Sequence, residues 1–284
     1  MILLTGVTGS VGREVLRRVP ADLEVRVMAR DPSRVTGAPR TVQVVAGDYA
    51  DAASLAGALR GVRTAFLVTS RVGGGDDAAF VRVARQAGVR HVVKLSSAAV
   101  EDPGAHDLVT RWQRENERLL RESGMEWTFL RPRAFMSNTL SWAAAVRAEG
   151  VVRGLYGSSP NACVDPRDIA EAAVRALTEA GHAGRSHTLT GPEAISAVRQ
   201  TAELADVLGV PLRYEELTPE QARAALRARH PEPVVEALLR SAERQRDGAK
   251  RRVTDTVERL TGRPAGTFRA WARDHREAFA AARG

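Results

Sequence analysis

Short apolar runs alternate with amphipathic stretches through the first half of the chain. Residues 1–4 (MILL) are continuously apolar and predict a buried strand, and 13–19 predict the helix that follows. Further strands are expected at 23–29 (LEVRVMA), 41–46 (TVQVVA), 64–68 (TAFLV), 91–95 (HVVKL) and 127–130 (WTFL). Helices are expected between them at 52–60, at 78–87 ahead of Gly88, and at 110–122 ahead of Ser123 and Gly124. Six short strands separated by helices predict an α/β fold with a parallel sheet covered on both faces. After residue 133 the rhythm changes. Helices are predicted at 138–148, 165–178, 196–208, 219–229, 232–245 and 267–282, with strands at 187–190 and 212–217. The division expected is a larger sheet-forming domain over 1–132 and a smaller lobe over 133–284, some of whose segments return to the sheet.

The first strand runs into Gly6, Gly9 and Gly12, spaced by three where strand becomes helix. A diphosphate needs backbone N–H groups aimed at it and no Cβ in the way, and a helix N-terminus adds about half a positive charge. Gly6, Thr8, Gly9, Ser10, Val11 and Gly12 are therefore candidate cofactor residues. At the end of the second strand, where a carboxylate would hold a ribose 2′-hydroxyl, the chain has Arg30-Asp31-Pro32 with Arg34 nearby. A guanidinium there binds a 2′-phosphate, so NADP(H) is expected in preference to NAD(H). Asp48 and Tyr49 follow the third strand and are placed to meet an adenine, with helix capping as the other use of Asp48. Val68, Thr69 and Ser70 end the fourth strand and Ser96 the fifth, where ligands bind open α/β sheets.

Composition narrows the partners. Of the 284 residues, 44% are hydrophobic and 27% charged, which is ordinary for a globular protein. No apolar run reaches the roughly 18 residues of a membrane span, and a soluble, cytoplasmic protein is expected. The net charge of +8 raises the question of a polyanion. Its carriers are almost all arginines interleaved with Asp and Glu, which argues against nucleic acid. The densest run, 240–252 (RSAERQRDGAKRR), reads as a solvated helix face. Cys163 stands alone, and the histidines at 91, 106, 182, 187, 230 and 275 lack ligand spacing, so no metal site is expected.

The motifs GVTGSVG at 6–12, VMARDPSR at 27–34, AGDYAD at 46–51, VKLSS at 93–97 and SGMEWTFLRPRAFMSN at 123–138 stand in an order that resembles the NmrA-like, atypical branch of the short-chain dehydrogenase/reductase superfamily. DPRDIAEA at 165–172 and RVTDTVERLTGRPAGTF at 252–268 extend the likeness to the rest of the chain. The resemblance implies a Rossmann-type doubly wound parallel sheet, a nicotinamide cofactor and a smaller C-terminal α+β lobe roofing the pocket. It also implies either a reductase of quinones, aromatic dyes or conjugated carbonyls, or a regulator that binds dinucleotide without turnover.

Superfamily reductases protonate a carbonyl with a Tyr and a Lys four residues later. The corresponding positions here hold Val109 and Gln113. Neither is an acid. The substitutes available are Ser96 and His106, histidine being the side-chain type most often used for proton transfer, and Ser97, Trp112, Phe135, Met136 and Trp142 are candidate pocket walls. Hydride addition to a quinone or conjugated system needs no dedicated acid, because the charge is delocalised and water protonates later. The expectation is an NADPH-dependent oxidoreductase acting on a small aromatic, quinone-like or conjugated carbonyl compound, as a monomer or homodimer. A dinucleotide-binding redox sensor, or an isomerase or cyclase that retains its nucleotide, stays open as an alternative.

Overall fold

In the computed structural model, which describes residues 1–280, the chain runs β1 (Ile2–Thr5), α1 (Ser10–Arg18), β2 (Val25–Ala29), β3 (Gln43–Ala46), α2 (Ala52–Leu59), β4 (Thr64–Leu67), α3 (Asp76–Gln86), β5 (His91–Leu95), α4 (Leu108–Arg121) and β6 (Glu126–Pro132). It continues through α5 (Ala143–Glu149), β7 (Val151–Gly154), α6 (Pro166–Thr178), β8 (Arg185–Leu189), α7 (Ala197–Leu208), β9 (Arg213–Glu216), α8 (Pro219–Arg227), α9 (Glu232–Arg246), α10 (Thr256–Thr261), α11 (Phe268–Asp274) and α12 (Arg276–Phe279). Seven parallel strands form one sheet in the order β3-β2-β1-β4-β5-β6-β8. Strand order reverses between β1 and β4, so the crevice at their carboxyl ends is where such sheets take ligands.

Both faces of the sheet are covered, as its apolar strands require. On one side Leu4, Val27, Phe66 and Val93 pack with Val11 and Val15 of α1 and with Ile169 and Ala173 of α6. On the other, Leu3, Ala65, Leu67, Val92 and Phe129 pack with Leu55 and Leu59 of α2, Phe80 of α3 and Leu120 of α4. A third core surrounds Trp271 and Phe268, and joins Val152, Leu204 and Phe279. Here β7 and β9 form a separate parallel pair. Among the described residues no helix is long and apolar enough to cross a membrane.

The differences from the sequence reading have local causes. The first helix begins at Ser10, three residues earlier than expected, because Gly9 serves as N-cap and Gly12 lies inside the first turns. The segment expected as one helix at 138–148 starts as a 3₁₀ stretch, Met136–Trp142, before α5. β7 was not anticipated, since its only apolar residues are Val151 and Val152. The tail splits at His275, whose ring stacks on Trp271 at 4.3 Å between α11 and α12, and positions 281–282 of the expected helix lie outside the described residues. The run at 240–252 is not simply a solvated face: Arg244 chelates Asp102 with bonds of 2.6–3.0 Å and Lys250 is half-buried.

Candidate functional site

The glycine turn is built for close approach. Gly6 sits at φ +66°, and a Cβ on it would lie 2.7 Å from the Val68 side chain. A Cβ on Gly12 would lie 2.2 Å from the Gly6 carbonyl oxygen, so α1 rests directly on the turn. No side chain caps α1 and its first turn carries no acidic residue, which leaves its N-terminal N–H groups and positive end free for an anion. The Thr5 hydroxyl accepts from the Val68 N–H at 2.9 Å, locking the end of β1 to the loop after β4.

This turn forms one wall of a cleft of about 530 Å³ that also takes in Thr8, Arg30, Asp31, Arg34, Asp48, Tyr49, Val68 and Ser70. Arg30 and Arg34 are exposed at its rim. Asp31, the nearby carboxylate, turns its Oδ1 onto the N–H and hydroxyl of Ser33 at 3.0 and 2.6 Å, and these bonds hold its pKa below the usual carboxylate range. That leaves the guanidinium groups facing the cleft. Asp51, not Asp48, caps α2, accepting from Ala53 and Ser54 at 3.0 and 3.3 Å. The Asp48 side chain accepts from the N–H of Ala50 through Oδ1 at 2.9 Å. Tyr49 donates to the Val68 carbonyl at 3.0 Å and meets Phe80 edge-on, so its ring is fixed from behind rather than free to follow a ligand.

The loop beneath the cleft is anchored by a buried ion pair that sequence reasoning missed. Thr69 is buried, and donates to Asp77 Oδ2 at 2.7 Å; Lys94 Nζ reaches Asp77 Oδ1 at 2.6 Å, with both charged side chains at 1% exposure or less. Thr69 therefore braces the floor. The signal was present in Lys94, one of two lysines in the chain, set in a strand between Val93 and Leu95.

At the carboxyl ends of β5 and β6 the candidate proton donors are differently disposed. The Ser96 hydroxyl donates to Glu117 Oε1 at 2.7 Å. Burial pushes the Glu117 carboxyl up, but Arg131, Ser96 and Arg121 outweigh it and hold the group ionised. A hydroxyl committed to a carboxylate is a poor acid. Ser97 accepts from the Ala99 N–H at 3.2 Å as the cap of a 3₁₀ turn, and His106 is exposed in the following loop. Val109 and Gln113 fall on α4, where Gln113 is buried with Oε1 unpartnered. Of the expected walls, Met136 is 1% exposed and absorbed by the third core, with Trp142 packed against it. Phe135 packs against the sheet core, whereas Trp112 has an unpartnered indole Nε1. Gly9, Ser10, Val11 and Gly12 stand behind the cleft surface as the helix start.

The NAD(P)H-binding family matches residues 6–180. A reductase from Streptomyces griseus that acts on (4-alkanoyl-5-oxo-2,5-dihydrofuran-3-yl)methyl phosphate is 58% identical over 280 residues, covering 99% of each chain. An NAD(P)H azoreductase from Xenophilus azovorans is 38% identical over 99% of this chain and 100% of its own. The structure of the Escherichia coli NADPH-dependent quinone oxidoreductase QOR2 with NADPH superposes with a TM-score of 0.84, at 29% identity, covering 98% of this chain and all of that one.

Proposed function

The chain belongs to the NAD(P)H-binding family and, within it, to the NmrA-like atypical short-chain dehydrogenase/reductases, and from that premise we propose that it is an NADPH-dependent reductase of carbonyl-conjugated alkenes. The substrate class proposed is an acyl dihydrofuranone like that of the 58% relative, with quinones as lesser acceptors. One observation carries the cofactor assignment: the glycine turn through Gly6 and Thr8, which leads into the uncapped N-terminus of α1, lines a cleft rimmed by Arg30 and Arg34.

On this reading Gly6, Thr8, Gly9, Ser10, Val11 and Gly12 hold the diphosphate, and Arg30 and Arg34 hold the 2′-phosphate. Asp48 accepts from the adenine amino group, while Val68, Ser70 and the Thr69-braced loop support the cofactor from below. When bound, the reduced nicotinamide supplies a hydride to the alkene carbon remote from the carbonyls. In an acyl dihydrofuranone the electron pair of the C=C bond then moves onto two carbonyl groups, and a proton from water completes the product. Such a stabilised enolate needs no protein acid at the reacting carbon. That fits Val109 and Gln113 in place of the superfamily dyad and Ser96 engaged with Glu117. The residues position, and the substrate carries the charge.

The test is NADPH consumption with a panel of acyl dihydrofuranones, enones and quinones. The proposal expects saturable turnover, fastest with the doubly activated alkene. Saturable NADPH binding with no turnover on any acceptor would leave a dinucleotide-binding regulator.

A further inference from the structure

Beyond the cleft, on the same carboxyl edge of the sheet, lies a group of cations that the dinucleotide does not use. Arg133 follows β6, its N–H donating to the Leu189 carbonyl at 2.9 Å. Lys250 lies between α9 and α10, its carbonyl accepting from the Ala162 N–H at 3.0 Å and its Nζ donating to the Ser241 hydroxyl at 2.7 Å. Arg252 stands exposed beside Arg133. The 2′-phosphate rim is at the opposite end, beside β2 and β3.

The carboxylates near these cations are all taken. Glu101 accepts from Arg131 at 3.0 Å and from Thr188 at 2.6 Å. Asp102 is chelated by Arg244 and also accepts from the Gly104 N–H. Asp107 caps α4, accepting from the N–H and hydroxyl of Thr110 at 3.0 and 2.6 Å. Among the described residues Arg133, Lys250 and Arg252 therefore form no salt bridge, and the Arg133 Nε is buried without a partner. A buried donor left unmatched beside like charges costs stability in the free protein. Burial and the Arg133 charge push Lys250 down to about 8, against the smaller opposing pull of the Asp107 carboxylate.

We propose that Arg133 and Lys250, with Arg252 at the mouth, form a phosphate-binding subsite that holds a phosphate ester on the substrate while its alkene meets the nicotinamide. A guanidinium fork and a lysine point charge suit the oxygens of a tetrahedral dianion better than those of a single carboxylate. With one Nζ hydrogen given to Ser241, Lys250 keeps two for the ligand. Asp102 and Asp107 frame the group without neutralising it, because their partners are already fixed.

The activity arm of the test rests on the reductase reading. It compares an acyl dihydrofuranone bearing an exocyclic phosphate ester with the same compound bearing a free hydroxyl, in the wild type, Lys250→Met and Lys250→Arg. The ratio of kcat/KM for the phosphate over the hydroxyl compound is expected to fall roughly 10- to 100-fold in Lys250→Met, the worth of a charge-assisted contact, and to recover in Lys250→Arg. An unchanged ratio would overturn the subsite and leave the reductase standing. A binding arm needs no turnover: with NADP⁺ saturating the first cleft, inorganic phosphate is titrated by calorimetry. Binding that is lost in Lys250→Met and in Arg133→Gln supports the subsite even if no acceptor is reduced. Phosphate binding equal in all variants, or absent from the wild type, refutes it. An unaltered NADPH dissociation constant in each variant serves as the check on folding.

Discussion

Replacing Arg30 by Ala should separate the two nicotinamide cofactors. The side chain is exposed at the rim of the cleft beside Arg34, and the adjacent Asp31 is drawn onto Ser33, so Arg30 has no strong acidic partner of its own to lose. What the substitution removes is one guanidinium facing a phosphate dianion. A hydrogen bond to a charged group contributes about 1.5–3 kcal/mol, and an exposed site sits at the lower half of that range, near 2 kcal/mol. At about 1.4 kcal/mol per tenfold, the NADPH dissociation constant should rise about 30-fold. NADH lacks the phosphate, and its constant should stay within about threefold. Fluorescence titration of both cofactors against wild type and variant measures this directly. Raising the salt to about 1 M, where the screening length is about 3 Å, should shrink the NADPH effect in the wild type. Equal weakening of both cofactors would show that Arg30 supports the fold of the rim and not the 2′-phosphate; no weakening of either would remove it from the site.

Other residues give outcomes of different kinds. Gly12→Ala places a Cβ 2.2 Å from the Gly6 carbonyl oxygen; urea denaturation should show a loss of about 1–3 kcal/mol from overpacking, with NADPH and NADH binding both weakened, and unchanged binding would mean that α1 does not set the turn. Lys94→Met leaves Asp77 as an unpaired buried charge, so equilibrium unfolding should show a loss of about 3–5 kcal/mol, largely recovered in the double variant with Asp77→Leu. His106→Ala should change turnover less than about threefold on acyl dihydrofuranones; a large fall confined to simple carbonyl acceptors would make His106 the proton donor. Burial first, then His182 and Arg185, push His187 down to about 4, and His91 and His182 are also lowered. The unfolded chain binds these protons more readily, so thermal stability should be full above about pH 7 and fall as pH drops from about 6.5 towards 4. A Tm flat across that window would contradict these assignments.

The sheet was legible wherever a strand was apolar from end to end, because strands buried on both faces leave no alternation to misread. β1 and β4, each with a single threonine at one end, come nearest to this. That Arg30, Asp31, Asp48 and Tyr49 line one cleft was legible too, since they follow directly on strand ends and need only strand order to be brought together. β7 escaped because Val151 and Val152 are too short an apolar pair to stand out, and its partner β9 is some 60 residues away. The couplings that decide chemistry were hidden for a similar reason. Ser96 meets Glu117, Thr69 and Lys94 meet Asp77, and Arg244 crosses 142 positions to Asp102. No periodicity encodes such pairs. Lys250 was misjudged because a charge run is usually solvated, whereas its Nζ turns back onto the Ser241 hydroxyl of α9.

The central claim, that this cleft delivers hydride to the remote carbon of a carbonyl-conjugated alkene, is tested most directly by turnover with NADPH deuterated at the nicotinamide C4. Mass spectrometry and NMR of the product should locate one deuterium at the former alkene carbon remote from the carbonyls, with the hydrogen beside the carbonyls coming from solvent. Deuterium in the solvent, deuterium at a carbonyl carbon, or cofactor that stays reduced beside every acceptor would contradict it.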